Sequence, residues 1–327
     1  MQNHSAGASA RAMPPAAGRP ARLLAVELWG LGDVSLAVPF FREATRHARV
    51  TVVAKADWAP LFAHFCPEVE HVPCTAPWTA FRKKYRLHAW PWRNLRTLIG
   101  RLRANEFDLG VSARPDPRDH LLLALAGVRR RLGFPHRRWA AALASRSLLT
   151  TTLPSSAQSH RRDYWASLAQ ALGWELAPPK PNARGTSGRP LVIHAGAGQP
   201  TRLWPRERYE EIASRLQTGG WKVTLIDDSH RDLNKLIDLL NPADRFMGND
   251  SGPGHLAALL GVPTFTIFGP QLPSFIAPVH PQAAWIEGHP CPYKPCRDYC
   301  RFSEPRCIRA ISVDEVWPRL QDWLSRE

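Results

Sequence analysis

The sequence predicts two α/β domains of Rossmann type, each a parallel sheet with crossover helices, facing each other across a cleft. Three observations predict this. Apolar runs of strand length alternate with segments of helical spacing, which implies parallel strands joined by helices. The alternation breaks at APPKPNARGTSGRP (177–190), a Pro- and Gly-rich stretch of linker composition, and then restarts. Asp, Ser, His and Gly gather in turns directly after the predicted strands, where open α/β sheets bind ligands.

The chain has 327 residues, 44% of them hydrophobic, enough for two domains with their own cores. Residues 1–20 are small, polar and Pro-rich and read as a disordered tail without the apolar core of a secretory signal. A first domain is expected over 21–178, a linker over 179–190 and a second domain over 191–327.

In the first domain ARLLAVEL (21–28) reads as a strand followed by the turn WGLGD. The next helix carries Leu36, Phe40, Phe41 and Ala44 at helical spacing. VTVVA (50–54), VEHVP (69–73) and FDLGVSA (107–113) read as strands, and HLLLALAGV (120–128) as a helix. The stretch 82–103 is strongly basic, with Leu95, Leu98, Ile99 and Leu102 on one helical face. It is either an ordinary amphipathic surface helix or a lipid-facing one with Trp90 and Trp92 at the interface. In the second domain LVIHAG, WKVTLID, RFMGN and TFTIFG read as strands. The helix at 207–217 turns Tyr209, Ile212, Ala213 and Leu216 inward, and a helix at 231–240 precedes the third strand.

The formal net charge is +15, which points to an anionic partner: nucleic acid, a phosphorylated ligand or an anionic lipid surface. No nucleic-acid reader motif accompanies it, so no nucleic acid is expected. No apolar run approaches the roughly 18 residues of a membrane span. The six cysteines are too few for a disulfide scaffold in a chain of this length, and reduced thiols are expected. Cys291, Cys296, Cys300 and Cys307 lack the C-x2-C pairing typical of zinc sites; no metal is expected, with a partial site for iron or zinc as the alternative to reduced structural cysteines.

Four turns carry the chemistry. In LWGLGDV (28–34), Asp33 is either a helix cap or a general base for a hydroxyl. In HAGAGQPTRLWP (194–205), a Gly-rich loop leads through Thr201 and Arg202 to a helix start, a pattern suited to a diphosphate. In IDDSHRD (226–232), Asp227 and Asp228 are candidates for ribose hydroxyls or for helix caps. In NDSGPGH (249–255), Asp250, Ser251, Gly252 and His255 stand at a strand-to-helix junction whose unpaired amides favour a phosphate.

NDSGPGHLAALLGVPTFTIFGP resembles the signature of glycosyltransferase family nine, the lipopolysaccharide heptosyltransferases. HAGAGQPTRLWP resembles its diphosphate loop, GLGDV its N-terminal turn, and CPYKPCRDYC the Cys-containing ends of many members. The likeness runs over nearly the whole chain after residue 20. It implies a GT-B fold and an inverting, cofactor-independent transfer from a nucleotide sugar, usually ADP-heptose. The implied acceptor is the phosphorylated lipid A–core glycolipid at the cytoplasmic face of the inner membrane, which makes the protein cytoplasmic and peripheral to that anionic surface. Asp33 matches the base and Arg202 the cation on the donor diphosphate. Asp250, Ser251, Gly252 and His255 match the donor pocket.

Two departures stand out. One helix spans the gap between WKVTLID and RFMGND, where family members usually carry a further strand and helix, so an outer strand is expected to be missing. Gly196 and Ala197 replace hydroxyl residues common in the diphosphate loop. A GT-B relative using another nucleotide sugar or acceptor, another reaction class such as epimerisation, an inactive homologue and, remotely, a basic nucleic-acid binder are the alternatives.

Overall fold

The computed structural model describes residues 19–80, 86–154, 159–179, 181, 188–230, 232–296 and 298–326. Most of the expected N-terminal tail, part of the basic stretch (82–85) and most of the expected linker lie outside the described residues. Two compact units emerge: Met1–Trp29 with Ala37–Ala177, and Gly30–Leu36 with Pro178–Glu327.

The first unit contains β1 (Arg22–Val26), α1 (Leu31–Thr45, whose first residues belong to the second unit), β2 (Arg49–Ala54), α2 (Ala59–Phe65), β3 (Glu70–Pro73) and α3 (Trp92–Arg103). It continues with β4 (Leu109–Ser112), α4 (Pro117–Leu125), β5 (Arg130–Gly133), α5 (Trp139–Leu148), β6 (Thr151–Thr152) and α6 (Arg161–Ala171). Its sheet is parallel, in the order β3-β2-β1-β4-β5-β6. After an opening arginine, β1 and β2 are largely apolar runs buried on both faces, as central parallel strands require. Leu36, Phe40, Phe41 and Ala44 of α1 are buried, and both phenyl rings pack on Trp165 of α6, at 5.0 and 5.3 Å. In α3, Leu95 and Leu102 are buried, and Leu98, Ile99 and Trp90 pack on the same core. The ordinary amphipathic reading of that helix therefore holds.

The second unit contains β7 (Pro190–His194), α7 (Arg206–Thr218), β8 (Lys222–Ile226), α8 (Leu233–Leu240), β9 (Arg245–Asn249) and α9 (Gly252–Leu259). β10 (Thr264–Phe268), α10 (Pro273–Ile276), β11 (Ala284–Glu287), α11 (Arg306–Arg309) and α12 (Val313–Leu324) complete it. The sheet is again parallel, in the order β11-β10-β9-β7-β8. β8 is its edge, so the strand absent from the sequence is an outer one and the core survives without it. Tyr209, Ile212, Ala213 and Leu216 are all buried, with Trp204, Met247, Phe265, Ile267 and the α12 residues Leu320 and Trp323.

Sequence periodicity misses α2, β5, α5, β6, α6, α10, β11, α11 and α12. β5 opens with two arginines and β6 has two residues, so neither shows an apolar run. Both form because a neighbouring strand presents unpaired backbone groups to them. α4 starts earlier than its apolar run because Asp116 caps it, accepting from the Arg118 amide at 3.0 Å with Pro117 at the first helical position. Among the described residues no helix is long and apolar enough to cross a membrane.

Candidate functional site

The second unit gathers three of the four sequence-predicted turns and the Asp33 turn into one place. β7, β8 and β9 lie side by side, so the turns after them open at the same sheet edge. The Asp33 turn joins them because Gly30–Leu36 packs with this unit. Two glycines make that approach possible. A Cβ on Gly32 would stand 2.6 Å from Cδ2 of His255, and one on Gly252 would stand 2.7 Å from Cβ of Leu31. Both distances are too short for any side chain, so the α1 start and the α9 start can touch only as glycine contacts.

Asp33 sits in the first turn of α1 and its Oδ2 accepts from the Gly30 amide at 3.3 Å. It thus fills part of a capping role while lying near enough to bias the charges of Arg202 and Asp250. The cap and base readings describe the same carboxylate.

Arg202 ends the turn Pro200–Arg202 after the Gly-rich loop. Its Nε and Nη2 donate to the two oxygens of Asp298, at 2.8 and 2.6 Å, and Thr201 Oγ1 donates to the same carboxylate at 3.2 Å. Nη1 lies 3.3 Å from Oδ2 of Asp250. Burial opposes the guanidinium charge, but the Asp298 bonds and the charges of Asp250, Asp298 and Asp33 outweigh it and raise its pKa above the ordinary arginine value. Asp250 is almost fully buried after β9. Burial pushes its carboxyl up to about 6; Arg202 opposes this, and Asp298 and Asp33 add to it.

Ser251 is the N-cap of α9 yet makes no capping bond with its side chain; its hydroxyl lies 3.5 Å from Nδ1 of His194. His255 is buried in the first turn of α9. Asp228 does not stand apart at the β8 terminus. It turns into the Gly-rich loop and accepts from the Ala197 amide at 3.0 Å, and a Cβ on Gly196 would meet it at 2.4 Å. Asp227 accepts from Ser229 and from Arg206 Nη1 (2.6 Å), and these bonds hold its carboxyl well below the usual range.

Two residues of the site were not singled out by sequence reasoning. Asn249 is fully buried and ties the loops together: its amide nitrogen donates to the carbonyls of Ala195 and Gly196, both at 3.1 Å. Its oxygen accepts from the Trp204 amide (3.0 Å) and the Tyr209 hydroxyl (2.9 Å). A polar residue closing an apolar strand was the available signal. Asp298 gave none: it lies 96 residues from Arg202, inside the cysteine segment. Its left-handed φ of 69° is one that Asp tolerates. The half-buried Cys291, Cys296, Cys300 and Cys307 line one cavity of about 310 Å³ that also includes Thr201. Among the described residues no group of three or more His, Cys, Asp or Glu side chains can hold a metal ion.

What the arrangement can do is hold an anion beside a carboxylate. Asp250 makes that pH-dependent. An anionic diphosphate is repelled by the ionised carboxyl and not by the neutral one, so affinity should fall as pH rises through about 6. Calorimetric titration with a nucleoside-diphosphate sugar, whose diphosphate diester does not titrate there, should show this loss between pH 5 and 8. Asp250→Asn should flatten it.

The family model of glycosyltransferase family 9 (heptosyltransferase) matches residues 229–304, which contain the β9–α9 turn. Lipopolysaccharide heptosyltransferase 1 of Pseudomonas aeruginosa is 25% identical, over 93% of this chain and 98% of its own. The Escherichia coli heptosyltransferase WaaC, solved with ADP, superposes with a TM-score of 0.71 at 16% identity, covering 92% and 99% of the two chains. The E. coli ADP-heptose heptosyltransferase II gives 0.67 at 19% identity, covering 93% and 98%. The fold is thus that of the GT-B heptosyltransferases. The signature turn is matched by the family model and the similarity runs over nearly the full length, so the chain is similar to glycosyltransferase family 9, and the comparisons support a glycosyltransferase.

Proposed function

We propose that the protein transfers a heptose from ADP-heptose to a phosphorylated lipopolysaccharide-core acceptor, with inversion and with Asp33 as general base. The observation that carries this reading is the packing of the Asp33 turn on the start of α9, which brings a carboxylate to the anion site. Asp33 takes the proton of the acceptor hydroxyl as its oxygen bonds to the anomeric carbon. The bond from that carbon to the diphosphate breaks on the opposite face, and the nucleoside diphosphate leaves with the electron pair. Arg202, Thr201 and the amides of Ser251 and Gly252 hold the departing charge. Asp250 and His255 face the sugar, and Asp227 or Asp228 serves the ribose. The acceptor would be met at the cytoplasmic face of the inner membrane, with the protein peripheral to that anionic surface.

No cofactor takes part in these steps. The solved structure of TibC from enterotoxigenic E. coli is described as iron-containing.

A second reading, the same transfer from another nucleotide sugar, is favoured by one feature. The diphosphate loop presents Gly196 and Ala197 instead of hydroxyls, and Asp228 occupies one of its amides. A thermal-shift panel of ADP, UDP, GDP and CMP separates the two. ADP at about 100 times its Kd should raise the midpoint by several degrees and the others by little. A selective response to UDP or GDP would overturn the ADP assignment.

A further inference from the structure

α5 is built inside out. Its sequence WAAALASRSL has one buried residue, Ser145, whose hydroxyl accepts from the His136 amide at 3.2 Å. Its two largest apolar residues face out: Trp139 is 79% and Leu143 57% exposed, four residues apart and so on one face. α4 packs beside it and exposes Leu121 (43%) and Leu125 (36%) at the same spacing, while Leu122 and Leu123 enter the core. Single exposed leucines are ordinary, but four large apolar groups at helical spacing on adjoining helices mark a docking surface.

The charge around this face identifies its partner. From His120 to Arg162 the sequence has eight arginines and no Asp or Glu. Arg129, Arg138 and Arg146 are exposed, and Arg146 follows Leu143 by three residues on the same stripe of α5. A second copy of a chain with net charge +15 would meet like charge here. Single-stranded nucleic acid would use arginines and Trp139 but leave the leucines in water. An anionic bilayer satisfies both components: apolar side chains enter the headgroup boundary, and arginines meet lipid phosphates. The basic α3 turns its leucines to the core and leaves a single large apolar residue exposed, Trp92 (49%), whose ring lies tilted against Trp90 at 5.2 Å.

We propose that the α4–α5 face of the first unit docks on an anionic lipid bilayer through Trp139 and Leu143, with Arg138 and Arg146 on lipid phosphates. This rests on the proposed reading that the acceptor is a membrane glycolipid, and it names the surface that reaches it.

The test is co-sedimentation of the full chain with vesicles of phosphatidylcholine alone and of phosphatidylcholine with one quarter phosphatidylglycerol. The wild type should bind the anionic vesicles. Trp139→Ser with Leu143→Ser should weaken binding by about tenfold or more, with circular dichroism and the ADP thermal shift unchanged. Arg138→Gln with Arg146→Gln should remove the preference for phosphatidylglycerol. If the wild type binds neither vesicle, the membrane reading itself falls. Equal vesicle binding by wild type and the Trp139/Leu143 variant overturns the docking face alone. So does a variant that changes only the sedimentation mass, which would make the face an interface between copies, or one that changes only retention on a polynucleotide.

Discussion

Asp33→Asn is expected to lower sugar transfer by on the order of 10²- to 10⁴-fold while leaving ADP affinity within about twofold of wild type. The substitution isolates proton acceptance from shape. Asp33 accepts from the Gly30 amide, and the Asn oxygen can accept the same bond, so the start of α1 is kept. The glycine contacts that seat this turn on α9 involve Gly32, Leu31, Gly252 and His255 and not the carboxylate. What disappears is the group that takes the hydroxyl proton. Loss of a negative charge near Arg202 should, if anything, favour an anionic nucleotide. Initial rates with donor and acceptor, beside an ADP titration, check both halves. A variant within tenfold of wild-type turnover would remove Asp33 as the base. A variant that lost ADP as well would make Asp33 a donor-site residue.

Arg202→Ala should weaken ADP binding by about 10- to 100-fold, the range of one charge-assisted hydrogen bond at roughly 1.5–3 kcal/mol. The surroundings make the effect large. Asp250, Asp298 and Asp33 all bear on this guanidinium, and without it they meet the diphosphate uncompensated. Arg202→Lys should fall between, because an ammonium keeps the charge and loses the fork that spans both oxygens of Asp298. The removal of Arg202 also takes away the cation that opposes burial at Asp250, so the pH midpoint of ADP-sugar binding should move up from about 6. Unchanged ADP affinity in Arg202→Ala would sink the phosphate role. Unchanged affinity in Arg202→Lys alone would show that charge suffices without geometry.

These expectations rest on features of different legibility. The second sheet was readable almost strand by strand, because each buried parallel strand is a short apolar run bounded by turn residues. RFMGN, read as a strand at 245–249, is β9. The loss of an outer strand was also visible, since the interval between WKVTLID and RFMGND holds only α8. The first unit was read less completely. β5 and β6 owe their existence to pairing partners, and α5 carries its apolar residues outward, so a rule that turns apolar residues inward misplaces them.

The candidate site divides the same way. Asp250, Ser251, Gly252 and His255 follow one another along the chain, and a strand-to-helix turn places them without help from elsewhere. Asp227 and Asp228 were legible as a pair at a strand end, but their separation was not. Asp227 is bound by Ser229 and Arg206, whereas Asp228, the more exposed of the two, accepts from the Ala197 amide of the loop.

The sequence by itself determined the alternation of strands and helices, the shortened second sheet and the chemical types in each turn. Those properties lie within windows of a few residues and follow from burial period and turn chemistry. Tertiary structure alone decided that Gly30–Leu36 packs with the second unit, that Asp298 reaches Arg202 across 96 residues, that Asn249 sews two loops to one strand, and that α5 shows its tryptophan to solvent. The reason is physical. Contacts between residues far apart in the chain depend on how whole elements pack, and no local pattern of hydrophobicity or charge records which distant group will arrive beside another.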